Sequence, residues 1–156
     1  MKIKTFMMMA MLAGAVLTGC NGNQKQTATC VGANKISFQV AKNYFLKNDQ
    51  EIPASPKITT AEEFEKFFGM ATTMGEDGKP TEIDFKKQFV LAVVLPVTNH
   101  ATVIIPHRLE EKGDTLFCFY DAKVGEVQPY SMQPISLIIL DMKYADKEVV
   151  MVNVRK

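Results

Sequence analysis

The sequence predicts an α+β fold, a mostly antiparallel six-stranded sandwich or half-open barrel with one short helix packed on it. Apolar segments with strand periodicity recur between residues 36 and 154, and one segment after residue 60 has helical spacing. After residue 88 the turn signals lie too close together to leave room for crossover helices. This spacing excludes a doubly wound fold.

The first predicted elements are a strand and the helix. Ile36, Phe38 and Val40 alternate with polar residues, so we expect a strand that runs on to residue 46. Residues 60–63 (TAEE) fit a capping box, in which the Thr60 side chain accepts from first-turn amides. Phenylalanines follow at positions 64, 67 and 68, which predicts a helix over residues 61–68 that ends at Gly69 and packs its aromatic face on the sheet.

Five further strands follow. Residues 89–95 (FVLAVVL) form an unbroken apolar run, which is typical of a central strand covered on both faces, here by the helix on one of them. We expect the others at residues 101–105, 115–120, 135–140 and 149–154, with turns at 110–114 and 143–147. Pro106 belongs at a strand end or on an edge, because proline cannot donate to a ladder.

Residues 1–20 have the pattern of an export signal. Lys2 and Lys4 precede an apolar stretch, residues 6–16, that is too short to span a membrane. The segment Leu17-Thr18-Gly19-Cys20 then resembles the lipobox of bacterial lipoproteins, whose cysteine is acylated, for example with palmitate, and becomes the new N-terminus. The sequence therefore predicts a signal peptide at 1–19, a flexible tether at 20–34 and a single β-rich domain at 35–156.

This resemblance implies that acylated Cys20 holds the protein in the membrane of the bacterial cell envelope. Asn21 does not resemble an inner-membrane retention signal, and no acidic run follows Cys20, so we expect the outer membrane, facing the periplasm. Residues 1–19 hold two of the 18 basic residues and none of the acidic ones, so the mature chain has a net charge of 16 − 17 = −1. This charge argues against a nucleic-acid partner.

No catalytic or metal-binding pattern is present in the sequence. The two histidines, His100 and His107, belong to no triad pattern with Cys118 or Ser131, and no zinc-ligand spacing or phosphate loop occurs. We therefore expect no enzyme activity, no metal and no cofactor. Cys30 and Cys118 remain open to two interpretations: they pair as a disulfide after export, or Cys118 is a small core residue and Cys30 a free thiol.

Two segments at one end of the predicted sheet are the candidate recognition loops. If the strands after residue 88 run up and down in order, residues 96–100 and 121–133 lie at the same end. They contain adaptable polar groups, an aromatic ring and a thioether, which are typical of recognition loops. The candidate partner-binding residues are Thr98, Asn99, His100, Gln128, Tyr130 and Met132.

Residues 84–140 resemble a family of protease regulators. The run DFKKQFVLAVVLP, a Thr-containing turn, GDTL, an aromatic strand and a Pro-led apolar strand are similar to the C-terminal domain of PrcB-type regulatory lipoproteins. More loosely, the order resembles chagasin-type cysteine-protease inhibitors, although the inhibitory motifs of that family are missing here. The resemblance implies loops that bind an exported protease, without assigning any inhibitory residue.

Together these observations predict a membrane-tethered, non-enzymatic module that binds a protein partner, as an inhibitor or regulator of a protease, through residues 96–100 and 121–133. Two alternatives stay open. One is a small-molecule-binding or hydrolytic domain with a pocket between helix 61–68 and the sheet, into which His100 or Cys118 opens. The other is a structural envelope lipoprotein whose sheet edge pairs with another chain.

Overall fold

The structure is a computed structural model and describes residues 36–155. Within these residues the chain forms nine strands, one α-helix, α1 (Ala61–Phe67), and short 3₁₀ helices at Glu76–Gly78 and Met142–Tyr144. The strands are β1 (Gln39–Ala41), β2 (Tyr44–Leu46), β3 (Lys57–Ile58), β4 (Phe68–Met70), β5 (Gln88–Val94), β6 (Thr98–Lys112), β7 (Thr115–Met132), β8 (Ile135–Asp141) and β9 (Glu148–Asn153).

The strands form three sheets. The central sheet has the order β1-β8-β5-β3, and all of its pairs are antiparallel. A second sheet has the order β6-β7-β9, in which β6 and β7 form a long antiparallel hairpin and β9 runs parallel to β7. Strands β2 and β4 pair with each other as a third, two-stranded sheet.

Strand β5 separates two apolar clusters. Phe89, Leu91 and Val93 lie in a cluster with residues of the long hairpin, including Leu109 and Leu116. The alternate residues Val90 and Ala92 lie in a second cluster that includes Phe64 and Phe68. Because successive side chains of a strand point to opposite faces, β5 is covered on both sides. This confirms the prediction for residues 89–95, including the helix that covers one face.

Helix α1 begins as its sequence predicts and ends one residue earlier. The Thr60 side chain accepts a hydrogen bond from the Glu63 amide at 3.2 Å, as an N-cap residue does. Phe68 is already extended and starts β4, so Gly69 is a strand residue and not the helix end. Gly69 pairs with Phe45, and a side chain at Gly69 would place its Cβ 2.6 Å from the Phe45 ring. The glycine therefore makes room for the cross-strand ring.

The prediction of a mostly stranded α+β sandwich with one short helix is confirmed, whereas the number and arrangement of its strands differ from the expectation. The described residues form nine strands where six were expected, and β9 is parallel to its neighbour in an otherwise antiparallel set. The sheets do not close into a barrel, which favours the sandwich of the two predicted architectures. The strand expected over residues 36–46 is divided at Asn43, whose φ is 63°. Strands β2, β3 and β4 have two or three residues each, too few to show a periodicity.

Pro106 lies in β6, an edge strand of the β6-β7-β9 sheet, which confirms the expectation for this residue. The predicted signal peptide, the lipidation site Cys20, the tether and Cys30 lie outside the described residues. No helix within residues 36–155 is both long and apolar enough to cross a membrane.

Candidate functional site

The two predicted recognition loops are strands that pair with each other. Strand β6 begins at Thr98, and β7 continues to Met132, so most of residues 96–100 and 121–133 are extended. Thr98 lies opposite Met132, and His100 lies opposite Val127. The structure thus brings both segments together, but the prediction that they are loops is wrong. We call residues 97–103 and 123–132 the distal ribbon.

A bulge in β7 shapes the distal ribbon. Five steps along β7, from Val127 to Met132, face two steps along β6, from His100 to Thr98, so β7 carries three extra residues there. Bulges of this kind interrupt the ladder and redirect side chains. Tyr130, in the bulge, is 59% exposed. Asn99 is also exposed, whereas Gln128 and Met132 are half-buried.

Two of the predicted partner-binding residues, Thr98 and His100, make hydrogen bonds within the ribbon itself. Thr98 Oγ1 accepts from the His100 amide at 3.1 Å, and His100 Nδ1 donates to the Gly125 carbonyl at 3.2 Å. Two residues further along β6, Thr102 Oγ1 donates to the His100 carbonyl at 3.1 Å. The His100–Gly125 bond links the two strands, and the two threonine bonds lie within β6 beside its register shifts, so Thr98 and His100 hold the shape of the site.

Exposed apolar side chains are concentrated on the distal ribbon. Among the described residues, eleven large apolar side chains are exposed, and five of them lie here with exposed fractions of 59–63%: Val97, Val103, Val124, Val127 and Tyr130. Sequence reasoning selected only Tyr130 from this group. Three of the four valines lie inside the segments predicted to be polar loops, residues 96–100 and 121–133, and their presence there is the signal that the sequence offers.

Both edges of the distal ribbon are bare. Strand β9 pairs with β7 only from Thr115 to Tyr120, and no strand of the described part of the chain covers β7 beyond that point. Within residues 36–155, β7 is the only strand that pairs with β6, and the Ile36 amide that donates to the Leu109 carbonyl lies outside the ribbon. Unpaired strand edges are templates for another strand, and natural proteins limit this pairing with charges and prolines. Lys123, Glu126 and Pro129 provide both on β7.

A buried carboxylate marks the base of the ribbon. Asp121 is 9% exposed, and its Oδ1 accepts no hydrogen bond from any residue of the described range. The nearest charged group is the Arg155 guanidinium, whose Nε lies 4.0 Å from Oδ1. Asp121 therefore belongs to the junction with the core and not to the exposed recognition surface.

The nucleophile and base candidates do not form a catalytic group. Cys118 is fully buried in the core, and this burial raises the pKa of its thiol to about 12, so it is a poor nucleophile. His107 is exposed at a bulge of β6, and Ser131 is exposed in the bulge of β7. Within residues 36–155, no three His, Cys, Asp or Glu side chains are grouped as metal ligands would be.

The predicted disulfide has one end in the described structure. Cys118 carries a free thiol there, packed among residues such as Leu109 and Leu116. Its proposed partner Cys30 lies outside the described residues. Both interpretations of the two cysteines, a disulfide or a core Cys118 with Cys30 as a free thiol, therefore stay open.

A cleft beside α1 is the second candidate site. It is a cleft of about 480 Å³ between α1, β2, β4 and the segment 79–85. The cleft does not separate the helix from the central sheet, because Phe64 and Phe68 pack in one cluster with Val90 and Ala92. Neither His100 nor Cys118 lines it, in contrast to the arrangement expected for a hydrolytic pocket.

No protein-family model, curated protein or solved structure matches this chain. The distal ribbon and the cleft are therefore the features from which its function has to be inferred.

Proposed function

We propose that this protein is a membrane-tethered, exported lipoprotein that binds another protein through the distal ribbon and so inhibits or regulates an exported protease. The observation that carries the proposal is a two-stranded ribbon with bare edges and five exposed apolar side chains. Val124 pairs with Thr102 and Val103 with Lys123, so the exposed apolar side chains lie on both faces of the ribbon. Exposed apolar surface concentrated in one segment is typical of interaction sites.

The ribbon offers two sources of binding energy. Burial of the exposed part of each valine would contribute roughly 1 kcal/mol to the binding free energy. Tyr130 supplies a large side chain with a polar tip, a type of residue that is common at interface hot spots. The bare edge of β7 also provides main-chain donors and acceptors for an added strand. A partner that presents an extended segment can use both.

The proposed tether places this surface near the membrane. Two or more acyl chains on Cys20 hold a protein to a bilayer stably, because each buried CH₂ contributes about 0.8 kcal/mol. The 14 residues from 21 to 34 reach roughly 45–50 Å when fully extended, at about 3.3–3.6 Å per residue. The ribbon then meets partners in the envelope and not free in solution.

Replacing Val127 and Tyr130 together by Ser is expected to weaken partner capture at least about tenfold, because two interface anchors are lost. The matched control is Met74→Ser, which removes a fully exposed apolar side chain from a different surface. The measurement is a pull-down from envelope extract, with mass spectrometry of the captured proteins and then a dissociation constant for the purified partner. Equal capture by all three proteins, or no capture by the unaltered chain, contradicts the proposal.

The same variants separate regulation of a protease from the alternatives. If the partner is a protease, the unaltered chain and Met74→Ser change its rate of peptide hydrolysis, and the ribbon variant does not. Capture of further copies of this chain, with sedimentation that depends on concentration, would instead support the structural-lipoprotein alternative, in which β7 edges pair with each other.

A further inference from the structure

The cleft beside α1 has the size and lining of a small-molecule site. Its volume of about 480 Å³ lies within the roughly 300–1,000 Å³ that such sites have. Most of its lining is apolar or aromatic, with three charged side chains among the residues. The lining consists of Tyr44, Ala61, Phe64, Glu65, Phe68, Met70, Lys79, Pro80, Glu82, Ile83 and Phe85.

An aromatic cluster forms the floor of the cleft. The Phe64 ring lies 5.1 Å from Tyr44, edge to face, 5.2 Å from Phe68 and 5.5 Å from Phe85, measured between ring centroids. Phe64 and Phe68 are buried, whereas Tyr44 and Phe85 remain half-buried toward the opening. The faces of such rings carry negative electrostatic potential, which attracts cations.

Two exposed glutamates belong to the lining of the cleft. Glu65 lies on α1 and Glu82 on the segment 79–85, and neither forms an ion pair within the described residues. Lys79 is the only basic residue of the lining, so the net charge there is 1 − 2 = −1. Burial raises the pKa of Tyr44, and the charge of Glu82 raises it further.

Hydrogen bonds hold the wall across from the helix in place. The Asn43 side-chain amide donates to the carbonyls of Asp77 and Lys79, at 2.6 and 2.9 Å. The Lys42 amide donates to Thr81 Oγ1 at 3.0 Å, and the Tyr44 hydroxyl donates to the Thr81 carbonyl at 2.7 Å. A wall that is already ordered costs less conformational entropy when a ligand binds.

From this arrangement we infer that the cleft binds a small organic amine, in its ammonium form, with an aromatic or aliphatic body. The body lies on Phe64 and the rings around it, and the ammonium lies between Glu65 and Glu82. Charge complementarity selects this class, because an acid of the same shape would be repelled by two carboxylates, and a neutral alcohol could donate a hydrogen bond to one of them but would lack the charge attraction. This site is separate from the distal ribbon and does not depend on the function proposed for it.

Three probes with the same phenyl ring and two-carbon arm test the inference. They are phenethylamine, 2-phenylethanol and 3-phenylpropionate, which are positive, neutral and negative at pH 7. Each is titrated into the ¹⁵N-labelled full chain, and binding is followed by amide chemical shifts. We expect the amine to bind about tenfold more tightly than the alcohol and the acid to bind more weakly than the alcohol, with the largest shifts at residues that line the cleft.

A Glu65→Gln, Glu82→Gln double variant identifies the charges responsible. Neither side chain makes a hydrogen bond within residues 36–155, so the variant is expected to fold, and the preference for the amine should fall to within about twofold of the alcohol. Glu62→Gln, on the same helix but outside the cleft, is the control and should keep the preference. The inference is overturned by equal affinity for the three probes, by no saturable binding of the amine, by shifts away from the cleft, or by a preference that survives in the double variant.

Discussion

Replacing Phe89 by Ala is expected to lower the free energy of unfolding by about 3–5 kcal/mol, the usual cost of removing a buried ring. Phe89 has no exposed surface, and it lies in the cluster between the central sheet and the long hairpin. It pairs with Leu140 on β8, so the ring is held on a strand that has neighbours on both sides. Its loss leaves a cavity that the surrounding strands cannot fill.

Phe45→Ala is the matched control for this prediction. Phe45 is 44% exposed on β2, so its removal is expected to cost about 1 kcal/mol or less. Urea denaturation measures the loss of unfolding free energy in both variants. If Phe89→Ala does not fold, Phe89→Leu replaces it, with an expected loss of about 1 kcal/mol. Equal losses of unfolding free energy at positions 45 and 89 would contradict the assignment of Phe89 to the core and of Phe45 to the surface.

The stability of the protein is expected to fall as the pH rises above about 9, because of Cys118. Burial raises the pKa of this thiol from an ordinary value of 9.0 to about 12 in the folded chain. Below pH 9 the thiol is neutral in both states, and its contribution is fully present. Between pH 9 and 12 only the unfolded chain releases the proton, so the free energy of unfolding decreases, by roughly 4 kcal/mol over the whole interval.

Cys118→Ala separates this effect from the titration of tyrosines and lysines. The difference in unfolding free energy between the unaltered chain and the variant should depend on pH only above about 9. If the two plots of unfolding free energy against pH stayed parallel there, the thiol would have the same pKa in the folded and unfolded chains, which would contradict its burial. Labelling of thiols tests the same burial. Cys118 should react only after unfolding, so the proposed disulfide with Cys30 has to be tested in unfolded, unreduced protein, where a pair would leave neither thiol reactive.

The elements that sequence reasoning predicted well depend on local signals. The start of α1 follows from the Thr60 side chain and the spacing of the phenylalanines after it, which act within a few residues. Strand β5 follows from an apolar run that needs cover on both faces, whatever provides that cover. Neither prediction requires knowledge of distant parts of the chain.

The full lengths of β6 and β7 could not be predicted because bulges break their periodicity. Ile104 and Leu109 both lie in the core, although five steps separate them, since the register shifts between Pro106 and Arg108. A search for strict alternation of apolar and polar residues therefore predicts only a short strand, followed by a turn, in place of the full length of β6. The three extra residues opposite Thr98 hide the end of β7 in the same way.

The cleft and the parallel strand depend on contacts between distant segments. Residues 79–85 become a wall only by folding back on β2, and their sequence is typical of a loop. Strand β9 joins β7 because the chain between β8 and β9 crosses from the central sheet to the second one. No pattern within β9 itself specifies that neighbour or its direction.

Asn43 connects two parts of the molecule that otherwise have separate tasks. With a φ of 63°, it makes the bend that divides β1 from β2, while its side chain holds the loop that ends at the cleft. Asparagine tolerates this left-handed conformation. Glycine also tolerates it but has no side-chain amide that could donate these hydrogen bonds. The sequence at this position is therefore under two constraints at once, and a substitution that alters the wall of the cleft also alters the bend between β1 and β2.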